Sequence, residues 1–145
     1  MDFSEKGVYC LIFENRGCTL TVGQKGEFSF REGFHIYVGS ALGPGGLKRV
    51  LRHIALSRDR DRNPRWHVDY LHLGPAFNLV SAVCAPASDR LECILACRIG
   101  GDSVPGFGCT DCKCGSHLFY RPDNPLPELV RAFEDLGLSA FVFKI

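Results

Sequence analysis

Two glycine–tyrosine segments constrain the fold of this chain most strongly. Gly7-Val8-Tyr9 opens an apolar run that extends to Phe13, and Tyr37-Val38-Gly39 closes a second run that begins at Phe34. Aliphatic, β-branched and aromatic residues between turn-forming residues are typical of strands. We therefore predict two strands, each carrying one tyrosine close to a glycine.

A helix with further polar groups follows these strands. Beyond the glycine-rich stretch 43–46, a helix is predicted whose buried face carries Leu47, Val50, Leu51 and Ile54 at helical spacing. Arg49, Arg52 and His53 are expected to project from the other faces of this helix, where a ligand can reach them. Two phenols, guanidinium groups and an imidazole would then lie beside one sheet, which suits the holding and attack of a phosphodiester.

Apolar periodicity and turn residues predict the remaining elements. Strands are expected at 19–22, 79–84, 117–120 and 139–144, and helices at 66–73, 88–99 and 125–137. Ser88 is expected to cap the second of these helices. Since there is no internal repeat and no linker, the sequence predicts one α/β (α+β) domain over residues 1–145, with a small mixed central sheet flanked by helices.

Composition favours a cytoplasmic protein with no membrane partner. The 145 residues are 46% apolar, enough to bury a core. The first residues lack the order of a signal peptide, and no apolar run approaches the roughly 18 residues of a membrane span. The eight cysteines are then expected to be reduced thiols, with Cys10, Cys18 and Cys84 acting as small buried residues.

Positive charge is concentrated in one segment. Residues 48–65 hold seven cationic side chains and two carboxylates, a net charge of +5, which leaves −4 for the rest of the chain. A basic stripe on an otherwise acidic protein is typical of a surface that binds a phosphate backbone. The alternative is a solvated loop, because the signs alternate through 58–62 and partly neutralise each other.

Phosphodiester hydrolysis also needs a route for neutralising charge on the leaving group. Mg²⁺ can supply it, and this ion prefers one or two carboxylates with several waters. Glu92 is the best candidate, because it lies beside the apolar stripe of the predicted helix 88–99. Asp69 and Asp111 are second choices.

The ordered pattern resembles the GIY-YIG nuclease superfamily, with valine at both central positions. The resemblance implies that Tyr9 is the base or orients water and that Tyr37 is a phosphate or network partner. It further implies that Arg49 clamps the phosphate, that Glu92 binds one Mg²⁺ or Mn²⁺ ion, and that His53 assists phosphate binding or proton transfer. Tyr37 follows Tyr9 by 28 positions, which exceeds the usual spacing, and a strand at 19–22 could absorb the excess.

Three stretches resemble more closely one branch of that superfamily, a domain of unknown function numbered 123. They are Tyr37 to Leu47, Trp66 to Leu71, and Gly106 to Leu118. The candidate phosphate contacts are Ser40, Gly45, Gly46 and Arg52. Backbone N–H groups of the glycine-rich stretch could cradle a phosphate at the helix start, although a plain turn is an equal alternative.

A cysteine cluster forms a second constellation. Cys109, Cys112, Cys114 and His117 offer four soft ligands within nine residues, which suits tetrahedral Zn²⁺. Cys93 and Cys97, one helical turn apart, could supply a distant second pair. The favoured alternative is that Asp111, Ser116 and His117 line the cleft above packed cysteines. His67 and Asp69 are further candidates for the cleft.

These features lead to a functional expectation with alternatives. The first is a Mg²⁺- or Mn²⁺-dependent endonuclease that acts on DNA and that could use a partner protein or domain to choose its target. The second is a catalytically inactive module that binds nucleic acid. The third is an interaction domain stabilised by zinc.

Overall fold

The computed structural model describes residues 1–108 and 114–145. Within them the strands are β1 Gly7–Asn15, β2 Cys18–Thr21, β3 Glu27–Phe30, β4 Gly33–Ala41, β5 Phe77–Pro86, β6 Leu118–Arg121 and β7 Phe141–Lys144. The α-helices are α1 Lys48–Asp59, α2 Asp69–Leu73, α3 Glu92–Ile99 and α4 Leu126–Asp135. A single turn of 3₁₀-helix lies at Gly23–Lys25.

Strand β1 lies at the centre of a five-stranded sheet. The strand order is β6-β4-β1-β5-β7, and every neighbouring pair in this order is antiparallel. Successive residues of β1 point to opposite faces, and nearly all of them are buried. The central strand is therefore apolar on both faces.

Helices cover both faces of this sheet. Tyr9, Leu11 and Phe13 of β1 pack on one side in a core that includes residues of α1 and α2. Val8, Cys10 and Ile12 pack on the other side against α3 and α4. The predicted α+β domain with flanking helices is confirmed, whereas the central sheet, which was predicted to be mixed, is antiparallel throughout.

A separate hairpin explains the long spacing between the two tyrosines. Strands β2 and β3 pair with each other rather than with the main sheet. The sequence predicted a strand at 19–22 but missed β3, in which polar and apolar residues alternate. The inserted residues form a hairpin beside the sheet and leave the β1–β4 pairing intact.

Two further expectations can be compared with the structure. Cys10 and Cys84 are fully buried, as predicted, whereas Cys18 is only partly buried. The predicted cap at Ser88 is wrong, because α3 begins at Glu92. The Ala87 N–H still donates to the Lys6 carbonyl, which keeps the chain extended beyond the end of β5.

In the described residues, no helix combines the length and the apolar character needed to cross a membrane.

Candidate functional site

A cleft of about 370 Å³ opens beside the central strands. It gathers side chains from β1, β4, α1, the start of α3 and the loops before α2 and β6. The lining residues are Tyr9, Tyr37, Val38, Gly39, Ser40, Arg49, Arg65, Trp66, His67, Val68, Arg90, Glu92, Gly108 and His117. Both predicted tyrosines, the predicted arginine of α1 and the predicted glutamate of α3 therefore share one surface.

The glycine of the second tripeptide makes room for Tyr9. Gly39 is the cross-strand partner of Tyr9 in the β1–β4 ladder. A Cβ atom on Gly39 would lie 2.5 Å from the Tyr9 ring, a distance that side chains do not tolerate. The absence of a side chain at Gly39 thus allows the phenol to lie across the neighbouring strand.

A chain of buried imidazoles extends from Tyr9 into the core. The Tyr9 hydroxyl lies 3.0 Å from His53 Nε2, and His53 Nδ1 lies 2.9 Å from His72 Nε2. His72 Nδ1 is buried with no hydrogen-bond partner in the described part of the chain. The direction of both bonds depends on the histidine tautomers. Shifting the imidazole protons together would change Tyr9 from donor to acceptor toward His53.

Burial keeps this network neutral at rest. Desolvation raises the pKa of Tyr9 well above its usual value, with a further contribution from Tyr37. Desolvation lowers the pKa of His53 well below its usual value and lowers that of His72 to about 4. In the ligand-free protein Tyr9 is therefore a phenol, and it needs another group to receive its proton before it can act as a base.

The position of His53 corrects one expectation. The sequence placed this residue on an accessible face of the helix, but its side chain is fully buried behind Tyr9. Val50, His53 and Leu56 form the buried face of α1, whereas Leu51, predicted to be buried, is 41% exposed. His53 is absent from the cleft lining, and its connection to the cleft is the Tyr9 hydroxyl.

Arg49 is held at the cleft wall by two contacts. Its Nη1 donates to the Ser40 carbonyl at 2.9 Å. Its guanidinium also lies 4.9 Å from the centre of the Trp66 ring, within the range of a cation–π contact. Neither contact neutralises the charge, so the guanidinium is oriented and remains able to attract an anion.

Glu92 presents a buried carboxylate to the same cleft. Its side chain is 8% exposed, and Oε1 accepts hydrogen bonds from Arg90 at 3.1 and 3.2 Å. Oε2 is buried and has no partner among the described residues. Burial and then the Glu92 charge raise the pKa of nearby Tyr37 to about 12. An unpartnered buried oxygen is costly, and a cation would satisfy it.

Arg52 and Asp69 form a buried ion pair outside the cleft lining. Two Arg52 nitrogens donate to the two Asp69 oxygens at 3.0 and 3.3 Å, and the N–H groups of Arg65 and Trp66 donate to Oδ2. Burial acts to raise the pKa of Asp69, but these hydrogen bonds outweigh it and lower the pKa. Arg52, predicted to contact phosphate, and Asp69, predicted to line the cleft, instead fix the loop before α2.

The glycine-rich stretch before α1 packs against the N-terminal residues. The N–H groups of Leu47 and Lys48 donate to the carbonyls of Glu5 and Phe3. Gly46 has a φ of +55°, and a Cβ atom there would lie 2.3 Å from the Glu5 carbonyl oxygen. Gly45 and Gly46, proposed as phosphate contacts, lie outside the cleft lining, and the plain turn describes this stretch.

The remaining predicted residues divide into four groups, two of which share His117. Ser40, His67 and His117 line the cleft. Ser116 instead hydrogen-bonds the backbone of Leu118. Asp111, Cys109 and Cys112 lie outside the described residues. Cys93, Cys114 and His117 place one donor atom each within 4.8 Å of one another, and this group does not include Cys97.

His53, Asp69 and His72 also each have a donor atom within 4.8 Å of those of the other two. The Asp69 carboxylate already has a cation, because Arg52 donates hydrogen bonds to both of its oxygens. A buried polar network describes this group.

Comparison with known protein families identifies the family of this chain. A family model described as "Domain of unknown function DUF123" matches residues 8–138. The chain belongs to this family. The match includes every residue that lines the cleft, so the cleft lies within the DUF123 domain. Searches of curated proteins and of solved structures gave no match.

Three aromatic or charged residues of the DUF123 cleft were not among the predicted site residues. Trp66 lies 4.1, 4.9 and 5.5 Å from the guanidinium carbons of Arg52, Arg49 and Arg65 and so orders three cations. Arg65 and Arg90 bring further positive charge to the cleft. Trp66 begins one of the stretches that carry the family resemblance, so the sequence could have identified it. Arg65 was counted in the charge of the basic segment, but the sequence did not indicate that it lines the cleft.

Proposed function

We propose that this DUF123 domain is a divalent-metal-dependent endonuclease of the GIY-YIG type that hydrolyses phosphodiester bonds in DNA. The observation that carries the proposal is the convergence of Tyr9, Tyr37, Arg49 and Glu92 on one cleft from four different elements. These groups are suited to holding a phosphate, moving a proton and binding a cation. These residues are distant in sequence, and their side chains meet because the fold brings four elements together.

The Glu92 carboxylate fits a hard divalent cation. One or two carboxylates with several waters are the usual protein ligands of Mg²⁺, and Glu92 Oε2 is buried without a partner among the described residues. Mg²⁺ or Mn²⁺ held there would neutralise charge that develops on the phosphate and the leaving oxygen. Arg90 shares the other oxygen of Glu92 and helps to fix the orientation of the carboxylate.

The residues of the chain would divide the remaining work. Arg49 is oriented by Ser40 and Trp66 and would hold a non-bridging phosphate oxygen. Tyr9 would take a proton from the attacking water while its own proton passes to His53 Nε2. The proton on His53 Nδ1 would move at the same time to His72 Nε2. The low pKa values of both imidazoles make this proton transfer transient.

The direct test is cleavage of labelled single-stranded, duplex, nicked and branched DNA. We expect product with Mg²⁺ or Mn²⁺ and none in the presence of a chelator. Product formation that is independent of metal would contradict the role of Glu92. Absence of both cleavage and binding on every substrate would refute the proposal.

Replacing Arg49 with alanine is expected to lower the cleavage rate by about a hundredfold, a usual effect of deleting one electrostatic contact to a transition state. Single-turnover rates on the best substrate of the panel would measure the effect. Lys48→Ala is the matched control, because it removes the same charge from the adjacent, exposed position of α1. Equal losses in the two variants would indicate a general charge effect.

A catalytically inactive module that binds nucleic acid is the second candidate. The raised pKa values of Tyr9 and Tyr37 favour it, because phenols that resist ionisation suit binding better than base catalysis. Such a module would bind DNA with strong salt dependence and without turnover in any metal.

Under either function, the cleft and not the whole basic segment should contact phosphate. Arg65→Gln is expected to reduce the slope of log Kd against log salt by about one unit. Arg62→Gln should leave the slope unchanged, because Arg62 pairs with Asp61 outside the cleft lining. Fluorescence anisotropy with a labelled duplex at several salt concentrations would compare them. Identical slopes for the two variants would move the binding surface out of the cleft.

A further inference from the structure

A cluster of two cysteines and one histidine lies at the edge of the cleft. Cys93 belongs to the first turn of α3, and Cys114 and His117 belong to the segment before β6. Their donor atoms lie within 4.8 Å of one another, and Cys93 Sγ is 3.8 Å from His117 Nε2. Two segments that are distant in sequence therefore present soft ligands to one point.

The separation of these atoms suits coordination. With Zn–S near 2.3 Å and Zn–N near 2.0 Å, a tetrahedral zinc ion places a sulfur and a nitrogen ligand about 3.5 Å apart. The observed sulfur–nitrogen distance of 3.8 Å differs from this by a few tenths of an ångström. Thiolate and imidazole are also the ligand types that Zn²⁺ prefers over Mg²⁺. A small side-chain movement would bring these ligands to coordination distance.

The backbone holds His117 in place for such a role. Its N–H donates to the Phe107 carbonyl at 2.8 Å, and its carbonyl accepts from the Val38 N–H at 2.9 Å. Ser116 Oγ accepts a hydrogen bond from the Leu118 N–H at 2.9 Å. Cys93 is fixed by the helix. The ligand-bearing segments are thus positioned by the helix and by hydrogen bonds of the backbone.

We propose that Cys93, Cys114 and His117 bind one Zn²⁺ ion. This ligand set differs from the two arrangements suggested by the sequence, because it uses one cysteine of α3 together with Cys114 and His117 and leaves Cys97 out. The zinc ion fastens the segment 114–117 to the start of α3. Since Glu92 immediately precedes Cys93 and His117 lines the cleft, the ion braces the wall that carries Glu92. The zinc site does not depend on nuclease activity.

Metal content of the untagged full chain tests the proposal. We expect about one zinc per chain by mass spectrometry of the purified protein, falling to background in Cys93→Ser. Cys97→Ser is the matched control, because it makes the same change one turn further along α3 at an exposed position and should retain zinc. Protein without zinc, or zinc lost from both variants equally, would overturn the proposal.

A second measurement keeps the test valid if Cys93→Ser does not fold. Wild-type protein stripped with a chelator under reducing conditions would be titrated with Co²⁺. Intense visible bands of tetrahedral cobalt, a thiolate-to-cobalt charge-transfer band and release of thiol protons are expected. The weak spectrum of octahedral cobalt, without a thiolate-to-cobalt band, would overturn the proposal. Neither readout involves DNA, so failure of the zinc site and failure of the nuclease proposal are distinguishable.

Discussion

Glu92→Gln should abolish metal-dependent cleavage while the protein remains folded. The substitution keeps the size of the side chain and its acceptor oxygen for Arg90, but it removes the negative charge that would hold the cation. Loss of the cation should reduce the single-turnover rate by at least about a thousandfold, which corresponds to about 4 kcal/mol of transition-state stabilisation. Circular dichroism and denaturant unfolding would show that the fold survives.

Glu134→Gln provides the matched control for this prediction. Glu134 lies on α4 at an exposed position, and the change in charge and size is the same. Its cleavage rate should equal that of the wild-type protein. If Glu92→Gln cleaves at the wild-type rate in Mg²⁺, the metal is held elsewhere or is not needed, and the proposed role of Glu92 is wrong.

The main sheet and the cleft could largely be predicted from sequence, because their signals are local. Tyr9 and Tyr37 occur in apolar runs bounded by turns, and such runs identify strands before any contact is known. The resemblance to the GIY-YIG superfamily, with Arg49 and Glu92 in order on later helices, implied that both share the surface of the tyrosines. Consecutive strands are usually neighbours in a sheet, and short connections between elements leave few other topologies.

The depth of His53 could not be predicted, because periodicity treats histidine as polar. The apolar face predicted for α1 included Leu51 and excluded His53. In the structure the buried face is rotated, with His53 between Val50 and Leu56 and with Leu51 partly exposed. The compensating partner of His53 is His72 on α2, and a single sequence gives no sign of that pairing.

The role of the basic segment was also ambiguous in the sequence, because only the structure separates paired surface arginines from those that line the cleft. Arg58 pairs with Asp59 and Arg62 with Asp61, so the alternating part of the segment neutralises most of its own charge in solvent. Arg49 and Arg65 instead line the cleft. Net charge over a window cannot distinguish these cases, because ion pairing depends on which face each side chain occupies.

Replacing Arg52 with methionine should destabilise the fold by about 2 to 3 kcal/mol. Removing one partner of a fully buried ion pair costs about 3 to 5 kcal/mol. The cost is lower here because the Arg52 side chain is 21% exposed and because two backbone N–H groups still donate to Asp69. Methionine keeps apolar contact with Trp66, so most of the measured loss should come from the unpaired carboxylate. Urea denaturation at neutral pH would measure the free energy of unfolding.

Arg58→Met is the control on the same helix. Arg58 and Asp59 are 69% and 41% exposed, and a solvent-screened surface pair of this kind contributes little to the free energy of unfolding. The pH dependence gives an independent check. Because hydrogen bonds lower the pKa of Asp69 in the folded protein, the stabilisation from Arg52 is present above about pH 4 and is lost as the pH falls through the folded-state pKa. A stability loss in Arg52→Met no larger than in Arg58→Met would mean that Arg52 is not a structural cation, and its sequence-based assignment to phosphate binding would become the better explanation.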